Sequence, residues 1–236
     1  PPTRRGRYEM SKKIFITGCA KSGTTLLLRM CYAFENTEVL YQKGFDGHEL
    51  AFDDFIEYKP EKPFTIGKRH PPAILSNIAS PELDRQHDII RKEDIGIINV
   101  VRDGRDVVLS DGNYVKPRRW IESAKQRDTY SDIIDIEVRY EELIKKPDQV
   151  QAQLCEVFGL KAAHSFEEYP DYVPDWVYEW NVSVLARAGK GNKTNYGKRK
   201  LSPEGILRRP HAYKDVCSVN EIEEFETMLR ELGYLG

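Results

Sequence analysis

The sequence predicts an α/β fold, a single domain with a central, mainly parallel sheet flanked by helices. Three observations carry that prediction. Strand candidates alternate with helical stretches along the chain, the arrangement that lets helices cross between parallel strands. Several of the strand candidates are unbroken apolar runs, as expected of strands covered on both faces. A glycine-rich turn joins the first strand to the first helix, where backbone N–H groups and the helix dipole favour an anion.

The elements follow in order. KKIFITG (12–18) is a short apolar strand that runs into GCAKSGTT (18–25), and LLLRMCYAF (26–34) continues as a helix. EVLYQK (38–43), PFTIGKRH (63–70), IGIINVV (95–101) and DIIDIEVRY (132–140) are the further strand candidates. DQVQAQLCEVF (148–158) is an amphipathic helix closed by Gly159, a residue suited to a left-handed cap. Ser218 opens a last helix with S-x-x-E, and Val219, Ile222, Phe225, Leu229 and Leu232 recur as its apolar face. Two polar segments, 111–128 and 187–200, resist assignment. The second carries six basic residues and no acidic one, and reads either as a solvated loop or as a clamp over an anion.

Composition sets outer bounds. At roughly 100–200 residues per domain, 236 residues make one domain with enough chain to bury a core. Residues 1–9 read as a tag or disordered tail, leaving 10–236 as the domain. The 36 Lys+Arg against 38 Asp+Glu give a net charge of −2, which excludes nucleic-acid binding through bulk positive charge. No apolar run approaches the roughly 18 residues of a membrane span. Cys19, Cys31, Cys155 and Cys217 are scattered without metal-like or disulfide-like spacing, which points to a reducing, cytoplasmic setting.

The glycine-rich turn departs from the nucleotide-kinase signature. That signature places lysine directly after its second glycine, whereas here Thr24 follows Gly23 and Lys21 precedes it by two residues. The strand that would end in a magnesium-holding aspartate runs instead into Arg102, and no metal site is expected. A terminal phosphoryl group calls for a metal to neutralise its oxygens; a sulfuryl group carries less charge.

GCAKSGTT resembles the 5′-phosphosulfate loop, close to P-K-S-G-T-T, of the sulfotransferases that use 3′-phosphoadenosine 5′-phosphosulfate (PAPS). Three further segments resemble the family in its order. VVRDGRDVVLS supplies Arg102 and Ser110 at the spacing of the 3′-phosphate signature. VRYEELIKKP (138–147) resembles the segment whose tyrosine lies against the nucleotide, here Tyr140. GKRHPP (67–72) resembles K-T-H-L-P, with His70 in place of the catalytic histidine, Lys68 keeping the family's lysine and Arg69 replacing threonine.

The resemblance implies a P-loop-like sulfotransferase fold and a set of roles. Ala20, Lys21, Ser22, Gly23, Thr24 and Thr25 would cradle the 5′-phosphosulfate, with Lys21 stabilising charge on the leaving side. Arg102 and Ser110 would bind the 3′-phosphate, and Tyr140 the nucleotide. His70 would be the general base, with Lys68 on the sulfuryl oxygens; some branches use a glutamate, which leaves Glu49 and Glu57 as alternatives. Arg208 and Arg209 would close the 3′-phosphate site, with Arg187, Lys190 and Lys193 as rivals. Arg105 stays outside the site, paired with Asp103 or Asp106. Lys214, Ser218, Val219 and Glu223 resemble a dimer-contact motif, although the same stretch also reads as helix capping plus a core face.

The expected reaction is sulfuryl transfer from PAPS to a hydroxyl or amine of a small-molecule or carbohydrate acceptor, leaving adenosine 3′,5′-bisphosphate, with no metal, nucleic acid or membrane partner. A small-molecule kinase using Mg·ATP and a non-catalytic nucleotide-binding protein are the alternatives. Aromatics at 44–60 (Phe45, Phe52, Phe55, Tyr58) and 111–130 (Tyr114, Trp120, Tyr130) either face the acceptor or pack between lid and core.

Overall fold

Five parallel strands in the order β2-β3-β1-β4-β5 form the centre of the molecule. The computed structural model describes residues 12–41, 52–68, 81–110, 115–178, 201 and 211–236. The strands are β1 (Lys12–Thr17), β2 (Thr37–Val39), β3 (Phe64–Lys68), β4 (Gly96–Val101) and β5 (Ile136–Arg139). The helices that concern the site are α1 (Thr24–Met30), α2 (Phe52–Glu57), α3 (Pro81–Lys92), α4 (Gly104–Val108), α5 (Pro117–Thr129), α6 (Tyr140–Lys145), α7 (Pro147–Phe158) and α8 (Val219–Glu231).

Side-chain alternation divides the apolar residues of the strands between two layers. On one face Ile14, Ile16, Ile66, Ile98, Val100 and Val138 meet Leu27 and Leu28 of α1 and Leu154 and Phe158 of α7. On the other face Phe15 and Ile97 meet Phe52 and Phe55 of α2 and Ile90 of α3. The ring of Phe15 stands edge-on to Phe55 at 5.0 Å and to Phe52 at 6.1 Å. Burial on both faces explains why β1 and β4 read as unbroken apolar runs.

A third cluster lies beside the carboxyl ends of the strands. Cys19 and Ala20 pack there with Val107 and Val108 of α4, Trp120 and Ile121 of α5, and Phe225 and Leu229 of α8. The polar segment 111–128 thus contains a helix that its composition hides. Pro117 opens α5 at its first position, and only Pro117, Trp120, Ile121 and Ala124 of the helix are buried. So narrow a stripe leaves the window polar on average.

Other boundaries shift for local reasons. The 132–140 candidate shortens, because Ser131–Ile133 form a 3₁₀ turn and Tyr140 is already the first residue of α6. Gly159 caps α7 in the left-handed region with φ 76°, as expected. Ser218 caps α8 through a reciprocal capping box with Glu221. Val219 does not belong to the apolar face: it is 86% exposed, while Phe225 and Leu229 are wholly buried and Met228 joins them. Val219 sits in the first turn, before α8 reaches α5. No helix among the described residues is long and apolar enough to cross a membrane.

Candidate functional site

The strand order fixes where a ligand can sit. From β1 the chain turns toward β2 and β3, and from β4 it turns the other way, toward β5. Where neighbouring strands send their connections apart, a crevice opens at their carboxyl ends. Residues 18–23 line the crevice between β1 and β4.

Two absent side chains let the loop lie there. Gly18 has φ +144°, and a Cβ on it would stand 2.3 Å from the Val100 carbonyl oxygen of β4. Gly23 has φ +100°, and its Cβ would meet Cδ2 of Tyr140 at 2.4 Å. Between them Lys21 takes φ 71°, a left-handed conformation that non-glycine residues adopt at a cost of about 1–3 kcal/mol. Such strain persists where the surroundings enforce it. Arg102 is the enforcing group: its Nη1 donates to the Lys21 carbonyl at 3.0 Å.

Arg102, the first residue after β4, is the hub of the site. Its guanidinium lies 4.2 Å from the centroid of the Tyr140 ring, the same ring that covers Gly23. Asp106, one turn along α4, approaches its Nη2 at 3.7 Å, and the Arg102 carbonyl accepts from the Trp120 indole at 3.3 Å. Lys21, Gly23, Arg102 and Tyr140, distant in sequence, thus form one surface at the strand ends.

Two buried polar atoms on that surface lack a partner among the described residues, Nε of Arg102 and Oγ1 of Thr24. An unsatisfied buried donor costs about 1–3 kcal/mol. Both are donors of the kind a phosphate oxygen accepts from. α1, which begins at Thr24, has no side-chain cap and no acidic residue in its first turn, so its own first turn does not oppose an anion there. These residues fit a phosphorylated ligand. Burial pushes the Cys19 thiol up to about 12, so the one sulfur of the loop stays protonated and is no nucleophile at neutral pH.

The remaining expected residues divide. Ala20, Ser22 and Thr24 are buried in the loop, and Thr25 is half-buried beside them. Lys68 ends β3 in register with Ile16, wholly buried next to the strand that feeds the loop. Ser110 follows α4, and its hydroxyl donates to the Val107 carbonyl at 2.7 Å. His70, Arg208 and Arg209 lie outside the described residues, as do Glu49 and the 187–200 loop with Arg187, Lys190 and Lys193.

One alternative changes. Glu57 is not beside the loop. Its neighbour Ile56 accepts from Lys13 near the start of β1, and Tyr58 bonds Glu38 near the start of β2, which puts Glu57 at the opposite end of the sheet. Of the aromatics that read as either acceptor-facing or packing, Phe52, Phe55 and Trp120 are buried and Tyr130 lies against His87 at 3.8 Å, while Phe45 and Tyr114 lie outside the described residues. Sequence reasoning passed over Asp106 as the partner of Arg102, although an acid four residues along a helix from an arginine is a standard pairing signal. Arg105 pairs with Asp103, at 2.6 Å.

No protein-family profile and no curated protein matches the sequence. Among solved structures, the chain is similar to the sulfotransferase domain from the curacin biosynthetic pathway, at 14% identity and a TM-score of 0.59. That match covers 96% of this chain and 99% of the other. It is also similar to the sulfotransferase domain from the Synechococcus PCC 7002 olefin synthase, at 15% identity and a TM-score of 0.52, over 96% and 98% of the two chains. The likeness is one of fold: the parallel sheet and its flanking helices are arranged as in sulfotransferase domains.

The packing of Tyr140 on Gly23 can be tested without any ligand. Gly23→Ala should destabilise the protein by about 2 kcal/mol or more, summing a disfavoured φ with overpacking. In a Tyr140→Ala background the same change should cost at least about 1 kcal/mol less, read as a double-mutant cycle from urea denaturation. Equal costs in the two backgrounds would show that the ring does not pack there.

Proposed function

We propose that the chain is a sulfotransferase, moving a sulfuryl group from PAPS to a hydroxyl or amine of a small-molecule or carbohydrate acceptor. The observation that carries this reading is the cation at the end of β4. Where a metal-dependent kinase would be expected to hold magnesium through an aspartate, this chain has Arg102, stacked on Tyr140 and bonded to the loop. A guanidinium there suits a second, discrete phosphate, because its planar fork donates two hydrogen bonds at once. The fold likeness to sulfotransferase domains supports the same reading.

The donor supplies an activated sulfuryl group; the chain's residues supply the rest. Ala20, Ser22, Gly23, Thr24 and Thr25 would hold the 5′-phosphosulfate with N–H and hydroxyl donors. Arg102 and Ser110, closed over by Arg208 and Arg209, would hold the 3′-phosphate, with Tyr140 against the nucleotide. As the acceptor oxygen bonds to sulfur, the bond from sulfur to the bridging oxygen breaks, and Lys21 would stabilise the charge left on adenosine 3′,5′-bisphosphate. His70 would take the acceptor's proton, with Lys68 on the sulfuryl oxygens. We place the enzyme in the cytoplasm on the strength of its cysteines, all four of which are free.

Adenosine 3′,5′-bisphosphate without metal should raise the melting temperature, and Mg·ATP should not. Protection by Mg·ATP alone would favour the kinase reading, and nucleotide protection with no sulfate transfer to any screened acceptor the non-catalytic one. His70→Ala should lower kcat at least tenfold with bisphosphate affinity nearly intact, a general base usually contributing about 10²–10⁴ in rate; an active variant would remove histidine from the mechanism. The same reading includes a homodimer through 214–223, where Val219 is 86% exposed at the start of α8. Val219→Asp should then shift a dimer to monomer in sedimentation; an unchanged mass would discard that contact.

A further inference from the structure

The residues next to Arg102 and Tyr140 in sequence are tied to one tyrosine that is remote from both. The chain leaves α8 through Gly233 at φ 72°, a left-handed turn, and the Tyr234 N–H folds back to the Leu229 carbonyl at 2.8 Å. This turn inserts Tyr234 between the segment that follows β4 and the segment that joins β5 to α6.

Three groups of Tyr234 each take a partner there. Its hydroxyl donates to Oε2 of Glu141 at 3.2 Å, while Oε1 of the same carboxylate accepts from the Asp103 N–H at 3.0 Å. Its carbonyl accepts from Nη2 of Arg105 at 2.7 Å, and that guanidinium is held by the Asp103 carboxylate at 2.6 Å. Its ring lies 5.0 Å from the Arg139 guanidinium, which also donates to the Leu232 carbonyl at 2.8 Å. Asp103 follows Arg102, and Arg139 and Glu141 flank Tyr140. Each residue of the stack therefore neighbours a residue that is bonded to Tyr234 or to a direct partner of it. Burial and the nearby Glu141 carboxylate raise the Tyr234 phenol, so the hydroxyl remains a donor across the physiological range.

We propose that Tyr234 is a positioning residue of the nucleotide site, clamping the β4–α4 and β5–α6 junctions so that Arg102 stays stacked on Tyr140 and aimed at the 3′-phosphate. The aim at the 3′-phosphate rests on the function proposed above; the clamp does not. Tyr234 touches no ligand in this scheme and acts through Glu141, Arg105 and Arg139. Its contribution is preorganisation: without it, the two junctions are joined by β4–β5 pairing, the Glu141–Asp103 bond and the stack itself.

Two measurements test the proposal, with Tyr234→Ala removing ring and hydroxyl and Tyr234→Phe removing the hydroxyl alone. In ligand-free protein, hydrogen exchange of residues 102–106 and 139–142 should rise at least fivefold in Tyr234→Ala and less in Tyr234→Phe, with α7 unchanged. Should Tyr234→Ala not fold, a rise in Tyr234→Phe confined to these segments carries the same meaning. No rise at these segments, or an equal rise over the whole sheet, overturns the clamp. By calorimetry, the preference for adenosine 3′,5′-bisphosphate over adenosine 5′-monophosphate should fall at least threefold in Tyr234→Phe. A residue with only a structural role would weaken both nucleotides alike, and that result would also overturn the proposal. If the wild-type protein binds neither nucleotide, the function proposed above fails, and the exchange experiment still decides the clamp.

Discussion

The loop at the strand ends depends on a contact that tolerates no side chain. With a Cβ on Gly18 only 2.3 Å from the Val100 carbonyl oxygen, residue 18 must be glycine for β1 to pass its chain so close to β4. The rest follows from that proximity. It brings the Lys21 carbonyl within 3.0 Å of Arg102, and the same guanidinium lies 4.2 Å from the centroid of the Tyr140 ring. The second missing side chain, at Gly23, leaves room for that ring. Two glycines and one arginine thus bring loop, strand end and ring together at the carboxyl ends of β1 and β4.

The loop is also supported from behind. Cys19 and Ala20 are buried among α4, α5 and α8, so the polar stretch that includes α5 serves the site indirectly, by filling the space beneath it. Trp120 does this most directly, packing 4.8 Å from Phe225 and donating its indole N–H to the Arg102 carbonyl. A side chain that looks like a ligand-facing aromatic in the sequence is instead a strut for the residue that would face the ligand.

What was legible in the sequence was what is local. Strand, turn and helix are contiguous in 12–30, so the loop could be read from one window, and the positions of Arg102 and Tyr140 follow from their places just after strands. α5 was not legible because a narrow buried stripe does not shift the average of its window. Val219 was misassigned because helical periodicity says which residues share a face, not where along the helix the partner begins. The ties of Glu141 and Tyr234 to the Asp103–Arg105 pair were invisible for a different reason. The bonded residues lie up to 129 positions apart, farther than any local sequence pattern reaches.

The charge around the site qualifies what the near-neutral total implies. Arg102 faces Asp106 at 3.7 Å, Arg105 faces Asp103, and Glu141 sits between the two junctions. Arg102 and Arg105 thus each have a carboxylate close by. Two unit charges about 4 Å apart attract by about 4 kcal/mol at the effective dielectric of a protein surface. The Asp106 contact is long and leaves Nε of Arg102 unused. A phosphate dianion at hydrogen-bond distance, with twice the charge, outweighs it without having to break it. In the proposed function, the direction of the Arg102 donors would contribute to phosphate recognition alongside charge. Directed donors of that kind would suit a doubly phosphorylated nucleotide even on a chain whose net charge is −2.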